Sequence, residues 1–172
     1  MLIIVIIVII LLVLFMTKPN NTRKKEWDKF TERKLFAHRG LFNNESDHPE
    51  NSLPSFKLAV ENKYGIELDV QLTKDSQLVV HHDLSLKRST GKDLNVNQLT
   101  YEELQNLSLF NSKETIPLFT DVLKIIDGKV PLIVEIKVDY DYLQTTIMTN
   151  EILKNYTGNY CVESFNPLAV KW

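Results

Sequence analysis

The segment Gly65-Ile66-Glu67-Leu68-Asp69-Val70 constrains the fold more than any other stretch of the chain. It reads as an extended strand, and a strand turns alternate side chains to one face. Glu67 and Asp69 therefore project together while Ile66, Leu68 and Val70 point the other way. One face must pack against an apolar layer, and the other must hold two carboxylates in one small space. Like charges that close are costly unless a cation sits between them or one takes up a proton. Either outcome marks a working site rather than a core.

The flanking sequence predicts how that strand is housed. Leu35-Phe36-Ala37 reads as a short strand entering His38-Arg39-Gly40. Pro49-Glu50-Asn51-Ser52 opens a helix that runs to about Asn62, with Asn51 or Ser52 as N-cap. With the strand from Ile66 to Val70 this makes a βαβ unit, the mark of a parallel sheet covered by helices. The connection from Gln71 to Gln77 is too short for a parallel crossover, which takes about a dozen residues. The chain must double back, so Val70 to Leu72 and Leu78 to His81 form a hairpin turning at Lys74-Asp75-Ser76, and its return arm brings His82 beside Glu67 and Asp69. Farther on, Lys87 to Gly91 reads as a polar loop, and Thr100-Tyr101-Glu102-Glu103 as the capping box of a short helix. A helix from Phe119 to Ile126 ends at Asp127-Gly128. Pro131 to Lys137 is a buried strand, Tyr142 to Asn155 a helix, and Tyr160 to Phe165 another strand.

Composition narrows the class. At 172 residues and 44% hydrophobic the chain can bury one good core. Its net charge of -2 argues against a nucleic-acid partner, which would call for a basic patch. Cys161 is the single cysteine and excludes an intramolecular disulfide framework. Leu2 to Met16 is an unbroken apolar run without a charge. It lacks the basic start and small-residue end of a secretory signal, and is read as an uncleaved single-pass membrane anchor over residues 1–17 ahead of a cleaved signal or a buried core segment. As a helix it would be roughly 22 Å long, short of the roughly 30 Å hydrocarbon core, so flanking residues and local thinning would have to make up the rest. Residues 18–33 form a polar linker, and Lys18, Arg23, Lys24 and Lys25 would put the remainder on the cytoplasmic side. The folded domain is expected over residues 34–172.

Polar residues recur where apolar strands end: His38 and Arg39, Glu67 and Asp69, Glu135 and Lys137, Glu163 and Ser164. In a parallel α/β barrel the C-terminal strand ends form the rim that carries the active site. Glu67, Asp69 and Glu135 offer hard oxygen ligands that suit Ca²⁺ or Mg²⁺. His38 and His82 can exchange a proton near neutral pH. Arg39 and Lys137 supply positive charge where a phosphate oxygen could sit. Glu163 is either a rim ligand or a surface charge. Asp83 supports His82 or caps its loop, His81 faces away, and His48 is a solvated loop residue.

These residues lie in seven ordered blocks: Phe36-Ala37-His38-Arg39-Gly40, Pro49-Glu50-Asn51-Ser52, Glu67-Leu68-Asp69-Val70, Val79-Val80-His81-His82-Asp83, Leu86-Lys87-Arg88-Ser89-Thr90-Gly91, Val134-Glu135-Ile136-Lys137 and Ser164-Phe165-Asn166-Pro167. The series resembles the glycerophosphodiester phosphodiesterase family from Phe36 to the C-terminus. The resemblance implies a TIM-type (β/α)8 barrel that uses a divalent cation to hydrolyse glycerophosphodiesters to glycerol 3-phosphate and an alcohol. It implies His38 and His82 as the acid/base pair, Glu67, Asp69 and Glu135 as metal ligands, and Arg39 and Lys137 as phosphate-binding residues.

Length departs from that pattern. The stretch from His38 to Trp172 holds four barrel strands and the hairpin arm, about half of the roughly 250 residues a barrel takes. A half-barrel would leave an unpaired edge prone to association. Two other functions are therefore weighed: an inactive, membrane-bound binding or interaction module, and a phospholipase D-like lipid hydrolase on the same barrel.

Overall fold

The structure, a computed structural model, describes residues 2–16, 28, 32, 35–137 and 141–170. The chain divides into two compact units, one of Met1–Arg33 and one running from Lys34 to Val170. In the first, Leu2–Met16 forms helix α1, whose side chains from Ile3 to Phe15 are all exposed. Its 15 residues make a rod of roughly 22 Å, about 8 Å short of a bilayer's hydrocarbon core. Among the described residues no helix is long and apolar enough to cross a membrane. The described part of the membrane anchor expected over residues 1–17 is thus a short apolar helix, which does not by itself support a membrane span. The linker expected over residues 18–33 lies outside the described residues, apart from Asp28 and Glu32.

The second unit alternates strands and helices. Strand β1 (Phe36–His38) leads to helix α2 (Leu53–Glu61) and strand β2 (Gly65–Leu72). Ser52 caps α2 by accepting from the Ser55 N–H, and Pro54 sits in the first turn, where its missing donor costs nothing. After β2 come β3 (Leu78–Val80), two short helices, α3 (Lys87–Thr90) and α4 (Tyr101–Leu104), and then α5 (Phe119–Ile126). Strand β4 (Leu132–Ile136), helix α6 (Tyr142–Leu153) and strand β5 (Tyr160–Glu163) complete the described order. Strands β1, β2, β4 and β5 pair in parallel in that sequence, and β3 pairs antiparallel with the far end of β2. Four parallel strands, the first three each followed by a helix, with one doubled-back arm match the sequence expectation for the opening half of a (β/α)8 barrel.

One apolar layer explains the arrangement. Ile66, Leu68 and Val70 of β2 and Leu132, Val134 and Ile136 of β4 pack with Phe56 and Ala59 of α2 and Phe119, Val122 and Ile126 of α5. In α5 the buried positions recur every three or four residues, and the helix stops where Asp127 and Gly128 take positive φ. With alternate residues committed to this layer, the intervening ones of the same strands are left to the other face of the sheet. Parallel register sets Asp69 opposite Glu135, Glu135 opposite Glu163, and His38 opposite Glu67.

Two features differ from the sequence reading. Lys87–Thr90 is a helical turn closed by Gly91 at φ 76°, rather than a loop. It is anchored by Leu86, which is fully buried in a second apolar cluster with Val79, Val96, Leu104, Leu109 and Ile116. These residues are too scattered along the sequence to show a period, so the cluster was not anticipated.

The turn after β1 depends on Gly40. Its φ is 85°, and a Cβ there would stand 2.4 Å from Ser55 Oγ and 3.0 Å from the Ser55 carbonyl carbon. Gly40→Ala is expected to destabilise the domain by roughly 2–3 kcal/mol, read as a lower urea midpoint at unchanged slope.

Candidate active site

The site is built from the carboxylate face of the sheet. Glu67, Asp69 and Glu135 are each less than 10% exposed, and one oxygen from each lies within 4.8 Å of the others. Lys137 answers part of this charge, its Nζ standing 2.9 Å from both Asp69 Oδ1 and Glu135 Oε1. Burial opposes its charge, but those two carboxylates raise its pKa above the usual lysine range. Asn51 Nδ2 donates to Asp69 Oδ2 at 3.0 Å, and Arg39 Nε lies 3.9 Å from the same oxygen. Glu67 receives the Arg39 backbone N–H at 3.2 Å and has His38 Nε2 at 3.7 Å. That is insufficient: burial, with repulsion from Asp69, pushes its pKa up to about 8.

These residues suit a hard divalent cation. Three buried oxygen donors converge, and the least compensated of them is driven toward protonation by burial and like charge, a cost that a bound cation would relieve. Asn51 Oδ1 and Asp69 Oδ1 are also buried without accepting an aligned hydrogen bond, so acceptor capacity remains at the centre of the cluster.

Both expected histidines border this cradle. His38 ends β1 with its ring largely exposed, and burial of its base, with the Arg39 charge, lowers its pKa. His82 also acts electrostatically on His38, so the two rings share one region. The hairpin delivers His82 as anticipated. The His81 N–H donates to the Asp69 carbonyl at 3.0 Å, and Gln71 Nε2 donates to the carbonyls of His81, His82 and Asp83 at 2.7, 3.0 and 2.9 Å. His81 turns away, buried between the Asp83 carbonyl and Ser89 Oγ. His82 Nδ1 meets Asp83 Oδ1 at 2.5 Å, which makes Asp83 a support for the ring.

Other sequence expectations change. Arg39, expected at the phosphate, also donates from Nη1 to buried Glu50 at 3.2 Å. Glu50 also takes both terminal nitrogens of Arg88, at 2.9 and 2.6 Å. Burial would raise the Glu50 pKa, but Arg88 and Asn44 hold it at about 2. His48 is half-buried against Ser46 and Asp47 rather than solvated. Glu163 is exposed on β5 opposite Glu135 and outside the three-carboxylate cluster. Sequence reasoning missed Glu50, Arg88 and Gln71 as parts of the site, and took Asn51 only as a cap. The first two stood in recognised blocks, but their pairing crosses 38 positions.

The family model for glycerophosphoryl diester phosphodiesterases matches residues 38–158, the whole span from the first histidine past the third carboxylate. The chain belongs to this family. A glycerophosphodiester phosphodiesterase of Caldanaerobacter subterraneus is 35% identical over 148 residues, covering 80% of this chain and 60% of that protein. A lysophospholipase D of Mus musculus is 35% identical over 147 residues, covering 78% of this chain and 44% of that protein. Among solved structures, an Oleispira antarctica phosphodiesterase in complex with the product sn-glycerol-3-phosphate superposes with a TM-score of 0.70 at 28% identity, covering 79% of this chain and 59% of that one. The chain thus spans roughly half the length of these family members.

The Glu50 cluster makes acid stability a test of the site. Because the folded pKa is depressed from 4.5 to about 2, the cluster stabilises the fold above about pH 4.5 and loses that contribution as pH falls toward 2. Glu50→Gln is expected to cost about 2 kcal/mol at pH 7, discounted for water screening at the outer edge, and to flatten the acid limb of stability between pH 4.5 and 2.

Proposed function

We propose that this chain supplies the cation-binding and acid/base part of an enzyme that hydrolyses glycerophosphodiesters to glycerol 3-phosphate and an alcohol. The observation that carries the reading is the convergence of Glu67, Asp69 and Glu135, with His38 at the end of the neighbouring strand and His82 on the hairpin's return within electrostatic reach of it. Glu67, Asp69 and Glu135 would hold Ca²⁺ or Mg²⁺. Such a cation, when bound, neutralises phosphoryl oxygens and the charge that grows on them. His38 and His82 then serve as the acid/base pair, one accepting the proton of the attacking hydroxyl and the other delivering a proton to the departing alkoxide. Lys137, poised between two carboxylates, keeps a positive charge at the phosphate. Arg39 orients the cradle through its backbone N–H to Glu67 and adds positive charge next to it.

A second reading, cleavage of a lysophospholipid, is favoured by the similarity to the mouse lysophospholipase D. The two differ in the group beyond the phosphate.

The decisive assay measures release of glycerol 3-phosphate from glycerophosphocholine, with lysophosphatidylcholine in parallel and either cation present. His38→Ala and His82→Ala are each expected to lower turnover by about 10²- to 10⁴-fold. Turnover equal to that of both variants would refute the reading. Independently of turnover, saturating Mg²⁺ or Ca²⁺ is expected to raise the unfolding midpoint by about 5 °C, and Asp69→Asn to remove that shift.

A further inference from the structure

We infer that Arg88 is a positioning residue for His82, acting through Asp83, with Glu50 as the mount that fixes its guanidinium. The inference rests on the acid/base role proposed above for His82. It assigns work to Glu50 and Arg88, which stand in the blocks Pro49-Glu50-Asn51-Ser52 and Leu86-Lys87-Arg88-Ser89-Thr90-Gly91.

The geometry is a relay of oriented ion pairs. Arg88 Nε donates to Asp83 Oδ2 at 2.6 Å, while Nη1 and Nη2 donate to Glu50 Oε2 and Oε1 at 2.9 and 2.6 Å. One planar fork therefore locks two carboxylates that are 33 residues apart in sequence, a task that a lysine point charge cannot reproduce. The free oxygen of Asp83 meets His82 Nδ1 at 2.5 Å. An ionised carboxylate only accepts, so Nδ1 must carry hydrogen and the proton exchanged with substrate must pass through Nε2. Among the described residues Asp83 touches the ring, Arg88 stands behind Asp83, and His38 lies within electrostatic reach.

Two further observations show that the fork is held on purpose. The Phe110 ring stacks over the guanidinium, 5.5 Å from Arg88 Cζ to the ring centre. To place it there the Phe110 backbone adopts φ 49° and ψ 40°, a left-handed conformation that a bulky side chain rarely takes. In addition, the Arg88 side chain is 43% exposed, so it fills no core space whose loss would unfold the domain. Glu50 meanwhile accepts Arg39 Nη1 at 3.2 Å, so the same carboxylate that mounts Arg88 also steadies the cradle side.

The test uses the full chain with Arg88→Lys and Arg88→Ala, and reads two quantities. ¹⁵N NMR of labelled histidine gives the tautomer of His82, and glycerophosphocholine hydrolysis with Mg²⁺ gives kcat and KM separately. In the unaltered chain His82 is expected to be the Nδ1–H tautomer. Both substitutions are expected to mix the tautomers and to lower kcat about 10- to 100-fold while KM stays within about twofold. Should Arg88→Ala fail to fold, Arg88→Lys, which keeps the charge and loses the fork, carries the same readings. An unchanged His82 tautomer overturns the inference, as does an unchanged kcat in an active enzyme. If the unaltered chain shows no turnover, the functional reading falls, and the tautomer measurement still decides the role of Arg88.

Discussion

Everything in the second unit is arranged around the cost of crowding three carboxylates in a place that water barely reaches. Each of Glu67, Asp69 and Glu135 is buried, and each faces the other two across less than 5 Å. Without compensation such a cluster would force either protonation or unfolding. Lys137 neutralises one side, Asn51 and Arg39 direct dipoles and charge at Asp69, and a single backbone N–H with a histidine edge meets Glu67. The balance leaves one carboxylate short. That shortfall is what makes the buried acidic cluster able to hold a cation.

Two apolar clusters divide the work of holding this arrangement. The first lies between the sheet and helices α2 and α5, and it fixes the register that sets Asp69 opposite Glu135. The second lies under the long connection after β3, and through Leu86 it anchors the turn that presents Arg88. The first therefore governs where the carboxylates stand, and the second governs how His82 is aimed. The polar network running from Asp83 through Arg88 and Glu50 to Arg39 joins the two.

Much of this was legible in the residues themselves. Alternation in β2 gave the two faces of the strand, and the length of the β2–β3 connection forced the hairpin that returns His82 to Asp69. The three carboxylates, both histidines and the helix from Phe119 to Ile126 were all readable from local pattern. What escaped has a common cause. Asn51 bonds Asp69 because its backbone takes φ 54°, and Arg88 joins Glu50 across a loop whose apolar anchors follow no period. Positive φ and long-range pairing leave little trace in composition. The apolar run at the N-terminus forms the helix its composition predicts.

The side chain of Gln71 has a mechanical consequence. It grips three successive carbonyls of the His81–Asp83 segment from the same strand that carries Glu67 and Asp69. The carboxylate strand and the His82 segment are thereby tied by one side chain. Thermal breathing of the sheet would translate the two together and leave their spacing unaltered. A displacement of β2 would therefore carry the His82 segment with it, through one side chain rather than through the ladder alone.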